Sequence, residues 1–176
     1  MVPNLVLSGL CAWAGWTDTT SGKIANRLTY TGIALGLALA AWQGWDRFTG
    51  NLAAVVFGFA SLILFWYWQM IGGGDVKLAM MVGAFKGTAF LLHFLFYALS
   101  FSLVVVLFVL IMRLGIWKAS CFVLTNLKSM VLLRAFPQPP REMDNTRIPF
   151  GLAAFLAVMV CLILEESGLM QTTLVG

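Results

Sequence analysis

Residues 88–112 read Thr-Ala-Phe-Leu-Leu-His-Phe-Leu-Phe-Tyr-Ala-Leu-Ser-Phe-Ser-Leu-Val-Val-Val-Leu-Phe-Val-Leu-Ile-Met, without one Asp, Glu, Lys or Arg. As a helix this stretch is roughly 37 Å long at 1.5 Å per residue, more than the ~30 Å hydrocarbon core of a bilayer. A run this long and this apolar has no place in a small soluble domain. It reads as a transmembrane helix, bounded by Lys86-Gly87 before it and Arg113 after it.

The rest of the chain agrees with its longest run. Of 176 residues, 61% are hydrophobic and only 10% charged, against about 45–50% and about 25% in soluble domains. The mean hydropathy is +0.92. These values exclude a disordered chain, a disulfide scaffold and an ordinary cytosolic enzyme. The net charge of +4 is spread along the chain and forms no basic face, so no nucleic-acid partner is expected. Cys11, Cys121 and Cys161 stand far apart and His93 is the sole histidine, so no metal site is expected on any usual ligand spacing. No basic residue precedes the apolar run Leu5–Trp16, which does not read as a cleaved signal.

Working outward from 88–112, charged and glycine-rich breaks mark about six apolar stretches. The others are Val2–Thr17, Leu28–Trp45, Leu52–Ile71, the short Val76–Phe85 and Ile148–Leu164. The expected fold is all-α: one polytopic, membrane-embedded domain over residues 1–176, a bundle of about six transmembrane helices. Between the last two spans, residues 113–147 carry Trp117, Cys121, Leu124, Val131 and Ala135 near helical spacing. Lys118, Lys128 and Arg134 lie among them, as in an amphipathic helix on the headgroups. Pro137-Gln-Pro-Pro140 stops that helix, and Pro149 suits the first turn of the final span.

Alternating spans place Lys23, Arg27, Lys77, Arg113, Lys118, Lys128, Arg134, Arg141 and Arg147 on one side, with only Arg47 and Lys86 opposite. The crowded side is therefore read as cytoplasmic. This frame puts Asp18, at the end of the first span, and Asp75, at the start of the fourth, on the cytoplasmic face at similar depth. Carboxylates at the edge of hydrocarbon are costly and mark functional sites. Two acids held together share a proton, and such a pair can activate water with one member and polarise a peptide carbonyl with the other. The plainer alternatives are a helix N-terminus favouring Asp75, a solvated Asp18 beside Lys23, or proton and ion sites in a small transporter or assembly subunit. Asp46, Glu142 and Asp144 have basic neighbours and read as solvated surface groups. Gly72-Gly73-Gly74 strips the side chains from the backbone leading into Asp75, which permits unusual conformations and close approach of another backbone.

Gly72-x-Gly74-Asp75-Val76-Lys77-Leu78 resembles the GxGD motif of the prepilin peptidases, or type IV leader peptidases. Asp18 followed by Ile24-Ala25-Asn26 is similar to that family's other aspartate motif, with Ala25 where proline is usual. Ile148-Pro149-Phe150-Gly151 resembles the start of its last span. The resemblance implies a membrane aspartic endopeptidase with Asp18 and Asp75 catalytic and Gly72, Gly74, Lys77 and Asn26 in support. Lys77 would bias the pair's electrostatics or anchor at the interface, and Asn26 would touch substrate or, in the plainer reading, N-cap the second span. No cofactor or metal is implied. The implied substrates are prepilins and pseudopilins with an apolar N-terminal helix, cut at the cytoplasmic face of the bacterial inner membrane. Larger members carry a cytoplasmic insertion with paired cysteines between the first two spans and also N-methylate the product. Here only Asp18–Arg27 separates those spans, as in the minimal members serving tight-adherence (Flp-type) pili, so peptidase activity without methyl transfer is expected.

Overall fold

The computed structural model describes residues 2–22, 24–68, 71–133 and 150–168. Lys23, Arg134, Ala135, Pro137–Pro140, Arg141, Glu142, Asp144, Arg147, Ile148 and Pro149, all used above, lie outside the described residues. The described chain is helical throughout: α1 (Val2–Ser21), α2 (Asn26–Gln43), α3 (Trp45–Tyr67), α4 (Gly73–Leu114), α5 (Ile116–Leu133) and α6 (Phe150–Glu166). Among them, α3 and α4 are long and apolar enough to cross a membrane.

The division differs from the sequence expectation in one instructive way. The fourth and fifth apolar stretches are two arms of α4, joined at Gly87, where φ is +81° and ψ −175°. An L-residue with a side chain rarely adopts that backbone, and glycine does so without steric cost. The arms fold back on each other. A Cβ built on Gly58 would lie 3.2 Å from Leu91 and 3.7 Å from Ala79, twelve residues apart yet beside the same point of α3. The break after Phe85 is thus a hairpin bend. Asn51 holds it from α3, its side-chain amide donating to the Ala84 carbonyl at 2.9 Å, which the interrupted helix leaves free.

Glycines set the packing of this body, which comprises residues 1–101 and 149–176. A Cβ on Gly83 would meet Ala54 at 3.1 Å, so α3 and the first arm of α4 run antiparallel at close range. Gly32 faces Met81 and Gly36 faces Ala84 and Phe85, which makes α2 parallel to that arm. α1 packs chiefly against α6, with Gly15 against the backbone of Gly151. Leu7, Cys11, Leu78, Met81, Leu91, Phe94, Val158 and Cys161 fill the core between them. The outer surface stays apolar: Phe57, Phe59, Phe65, Phe96 and Ile163 are all exposed.

Residues 102–148 form a second compact unit. In it α4 ends at a turn through Gly115, and α5 follows. Leu110 and Ala119 are buried against each other with Val109 and Phe122 beside them. Trp117, Lys118, Cys121, Leu124 and Lys128 are exposed along α5.

Candidate active site

Asp18 lies in the last turns of the first helix. α1 continues to Ser21, and its end is fixed where the Gly22 amide donates to the Asp18 carbonyl at 2.8 Å. Gly22, at φ +62°, turns the chain out of the helix and brings Ile24 under the start of α4. There Ile24 is buried, and a Cβ on Gly74 would lie 3.1 Å from the Ile24 Cβ. The segment following Asp18 and the backbone preceding Asp75 therefore touch.

Each carboxylate is held by a glycine amide. The Gly151 N–H donates to Asp18 Oδ2 at 2.7 Å across 133 residues, and the Gly72 N–H donates to Asp75 Oδ2 at 3.0 Å. Both acids are partly buried, and the contact of Ile24 with Gly74 brings the segments that carry them to the same end of the bundle. Amide-to-carboxylate bonds of this kind fix the acid's orientation and are stronger than neutral ones. Gly151 is also the second residue of α6, so Asp18 sits at a helix N-terminus, where negative charge is favoured.

The three glycines before Asp75 serve approach and not unusual dihedrals. None of Gly72, Gly73 and Gly74 has a positive φ, and α4 already begins at Gly73. Their bareness admits neighbours: Gly74 admits Ile24, and Gly73 lies against Trp66, whose Nε1 would be 3.1 Å from an added Cβ.

Asn26 does not cap α2. The N-cap residue is Ala25, without a side-chain bond. The Asn26 side-chain oxygen instead accepts from Lys77 Nζ at 2.9 Å, while the same ammonium stands 4.9 Å from the centre of the Tyr30 ring. Lys77 thus ties the first turn of α2 to the first turns of α4 instead of reaching freely into solvent. All six residues singled out from the sequence gather at one end of the bundle. Sequence reasoning gave Gly151 no part at the carboxylates, because a backbone amide leaves no trace in residue type.

Among the described residues the chain is all-helical, with two helices long and apolar enough to cross a membrane, and it carries at one bundle end two aspartates that each accept from a glycine amide. The chain belongs to the type IV leader peptidase family, whose model matches residues 5–110. It is 32% identical over 105 residues to the prepilin leader peptidase/N-methyltransferase of Myxococcus xanthus (strain DK1622), covering 56% of this chain and 31% of that protein. The chain therefore matches about a third of the length of this curated relative. No solved structure matches it.

Proposed function

We propose that the protein is a membrane aspartic endopeptidase that removes the short basic leader from prepilin-like precursors. The observation that carries this reading is that Asp18 and Asp75 lie at one end of the bundle, each with one carboxylate oxygen engaged by a glycine amide and the other free of that bond. One carboxylate accepts a proton from the attacking water. The other, protonated, donates to the scissile carbonyl and stabilises the charge that develops there. The proton then passes to the leaving amine. No cofactor is required for this chemistry.

Topology supports a site at the cytoplasmic face. The six helical segments α1, α2, α3, the two arms of α4 and α6 would cross the bilayer alternately, and α5 would lie on its surface. Nine of eleven basic residues then fall on the side of the aspartates. A substrate would stand with its apolar helix in the bilayer and its basic leader in the cytoplasm, unwinding at the cut, since a helical peptide bond is shielded by its own hydrogen bonding. Only Gly22–Ala25 separate α1 from α2, which leaves little to bind a methyl donor there. This short link supports a reading of hydrolysis without methyl transfer.

The test is leader removal from a purified prepilin substrate in lipid, followed by mass. Asp18→Asn and Asp75→Asn, taken singly, are each expected to lower kcat by at least roughly 100-fold. Cleavage at the parental rate by either variant would overturn the two-aspartate mechanism. A product heavier by one methyl group would overturn the restriction to hydrolysis.

A further inference from the structure

A polar cavity of about 610 Å³ lies at the end of the bundle away from the aspartates, where the start of α1, the α2–α3 turn, the bend of α4 and the end of α6 come together. Asn4, Gln43, Arg47, Lys86, Thr88 and Glu165 line it, with Gly50 and Asn51 of α3 beside them. Its size is that of a ligand pocket, but its lining is unlike the apolar surface around it. Only 10% of this chain is charged, so ionisable groups gathered around one cavity at a bundle end mark a functional feature.

The charges restrict the occupant. Helix ends of both polarities meet there, since α1 and α3 begin beside the cavity while α2 and α6 end beside it, so their dipoles largely offset. The side chains decide the sign. Lys86 is 10% exposed and paired with Glu165, which leaves Arg47 as the unbalanced charge among the lining residues. Its guanidinium gives one N–H to the neutral Gln43 Oε1 at 2.8 Å and keeps further donors, in the fork geometry that matches a phosphate. Depth names the source of that phosphate. Trp42 and Trp45 precede Arg47 at the α2–α3 turn and are exposed, as in the aromatic belts at headgroup level. α3, long and apolar enough to cross a membrane, begins at Trp45. We propose that this cavity binds the headgroup of one anionic phospholipid, with Arg47 on the phosphodiester and the uncharged polar groups of Asn4 and Thr88 on headgroup hydroxyls. An ammonium headgroup would have to compete with Lys86 for Glu165, which favours a hydroxylated headgroup such as that of phosphatidylglycerol.

The test places the full chain in nanodiscs of equal parts phosphatidylcholine and phosphatidylglycerol and counts the lipid it retains by native mass spectrometry. The parent is expected to retain phosphatidylglycerol roughly tenfold over phosphatidylcholine, and Arg47→Gln, at an exposed position, to lose that preference. Gly50→Glu and Gly50→Gln separate charge from bulk. A Cβ on Gly50 meets nothing within 4 Å, so both side chains fit the fold, and only the glutamate should abolish the preference. Lys118→Gln, on the exposed part of α5, controls for diffuse attraction to anionic lipid and should keep it. No preference in the parent, its survival in Arg47→Gln or Gly50→Glu, or an equal loss in Gly50→Gln or Lys118→Gln would overturn the site. A last arm adds glycerol phosphate to nanodiscs of phosphatidylcholine alone and follows the thermal midpoint. Stabilisation by phosphatidylglycerol but not by the soluble ester is the expected result. If the soluble ester stabilises the parent equally, the cavity takes a free phosphate ester and the lipid assignment falls.

Discussion

At the scale of single residues, Gly151 is where packing and chemistry meet. Its amide holds Asp18 at 2.7 Å, and a Cβ at this position would lie 2.8 Å from the Asp18 Cβ and 3.1 Å from Oδ2. Gly151→Ala therefore displaces the carboxylate it binds. Because misplacement by an ångström can cost about 100-fold in rate, this variant is expected to lose roughly 10- to 100-fold in kcat with KM little changed. Gly15→Ala is the control at the same helix crossing. Its Cβ would press on the Gly151 carbonyl at 3.1 Å, with Leu152 the other near neighbour, so it loosens α1 from α6 without a collision at Asp18. Most of the activity should survive there. Equal losses in the two variants, measured by initial-rate kinetics on the precursor, would show that the crossing matters and the amide does not.

At the scale of elements, the fold-back of α4 is the feature whose energetics are most exposed to test. At the end away from the aspartates, Lys86 beside the bend pairs with Glu165 at the end of α6 and stands over the Phe90 ring. Lys86 is 10% exposed and Glu165 37%, which places the pair between the weak surface bridges and the costly buried ones. Lys86→Met keeps the stem but strands the carboxylate, and should cost about 1–3 kcal/mol, read by thermal unfolding in detergent. Lys86→Met combined with Glu165→Leu should recover part of that loss, since no lone charge remains; a double variant less stable than Lys86→Met would contradict this account. The bend itself was half legible. Lys86-Gly87 marked a break between two apolar runs, and the break is real. Its tight reversal depends on the Asn51 side chain and on the contact of Gly58 with both arms, which are pairings between distant residues that no local pattern encodes. The same holds at the site. The residue types and spacing around Asp75 pointed to an acid pair, whereas the Lys77–Asn26 bond arises only once α2 meets α4, and the Gly151 amide meets Asp18 only once α1 packs on α6. The capping role expected for Asn26 failed because α2 already begins at Asn26, with Ala25 at the N-cap, and the Asn26 side-chain oxygen accepts from Lys77 instead.

At the scale of the whole molecule, the proposed orientation can be read out with the protein's own cysteines. Cys11 and Cys161 are fully buried in the core, shielded from any aqueous reagent while the fold is intact. Cys121 is exposed on α5, between Lys118 and Lys128. If the crowded basic side is cytoplasmic and α5 lies along it, a membrane-impermeant maleimide should label the protein in inside-out vesicles and leave it unlabelled in intact cells. Cys121→Ser should abolish the signal, which assigns it to that residue. The same labelling carries mechanistic weight, because α5 reports the side from which residues 113–147 emerge, and Asp18 and Asp75 are assigned to that side by the same alternation of helices. Labelling from outside intact cells would invert the frame. The aspartates would then face away from a substrate whose basic leader is held in the cytoplasm, and leader cleavage by this pair would lose its geometric basis.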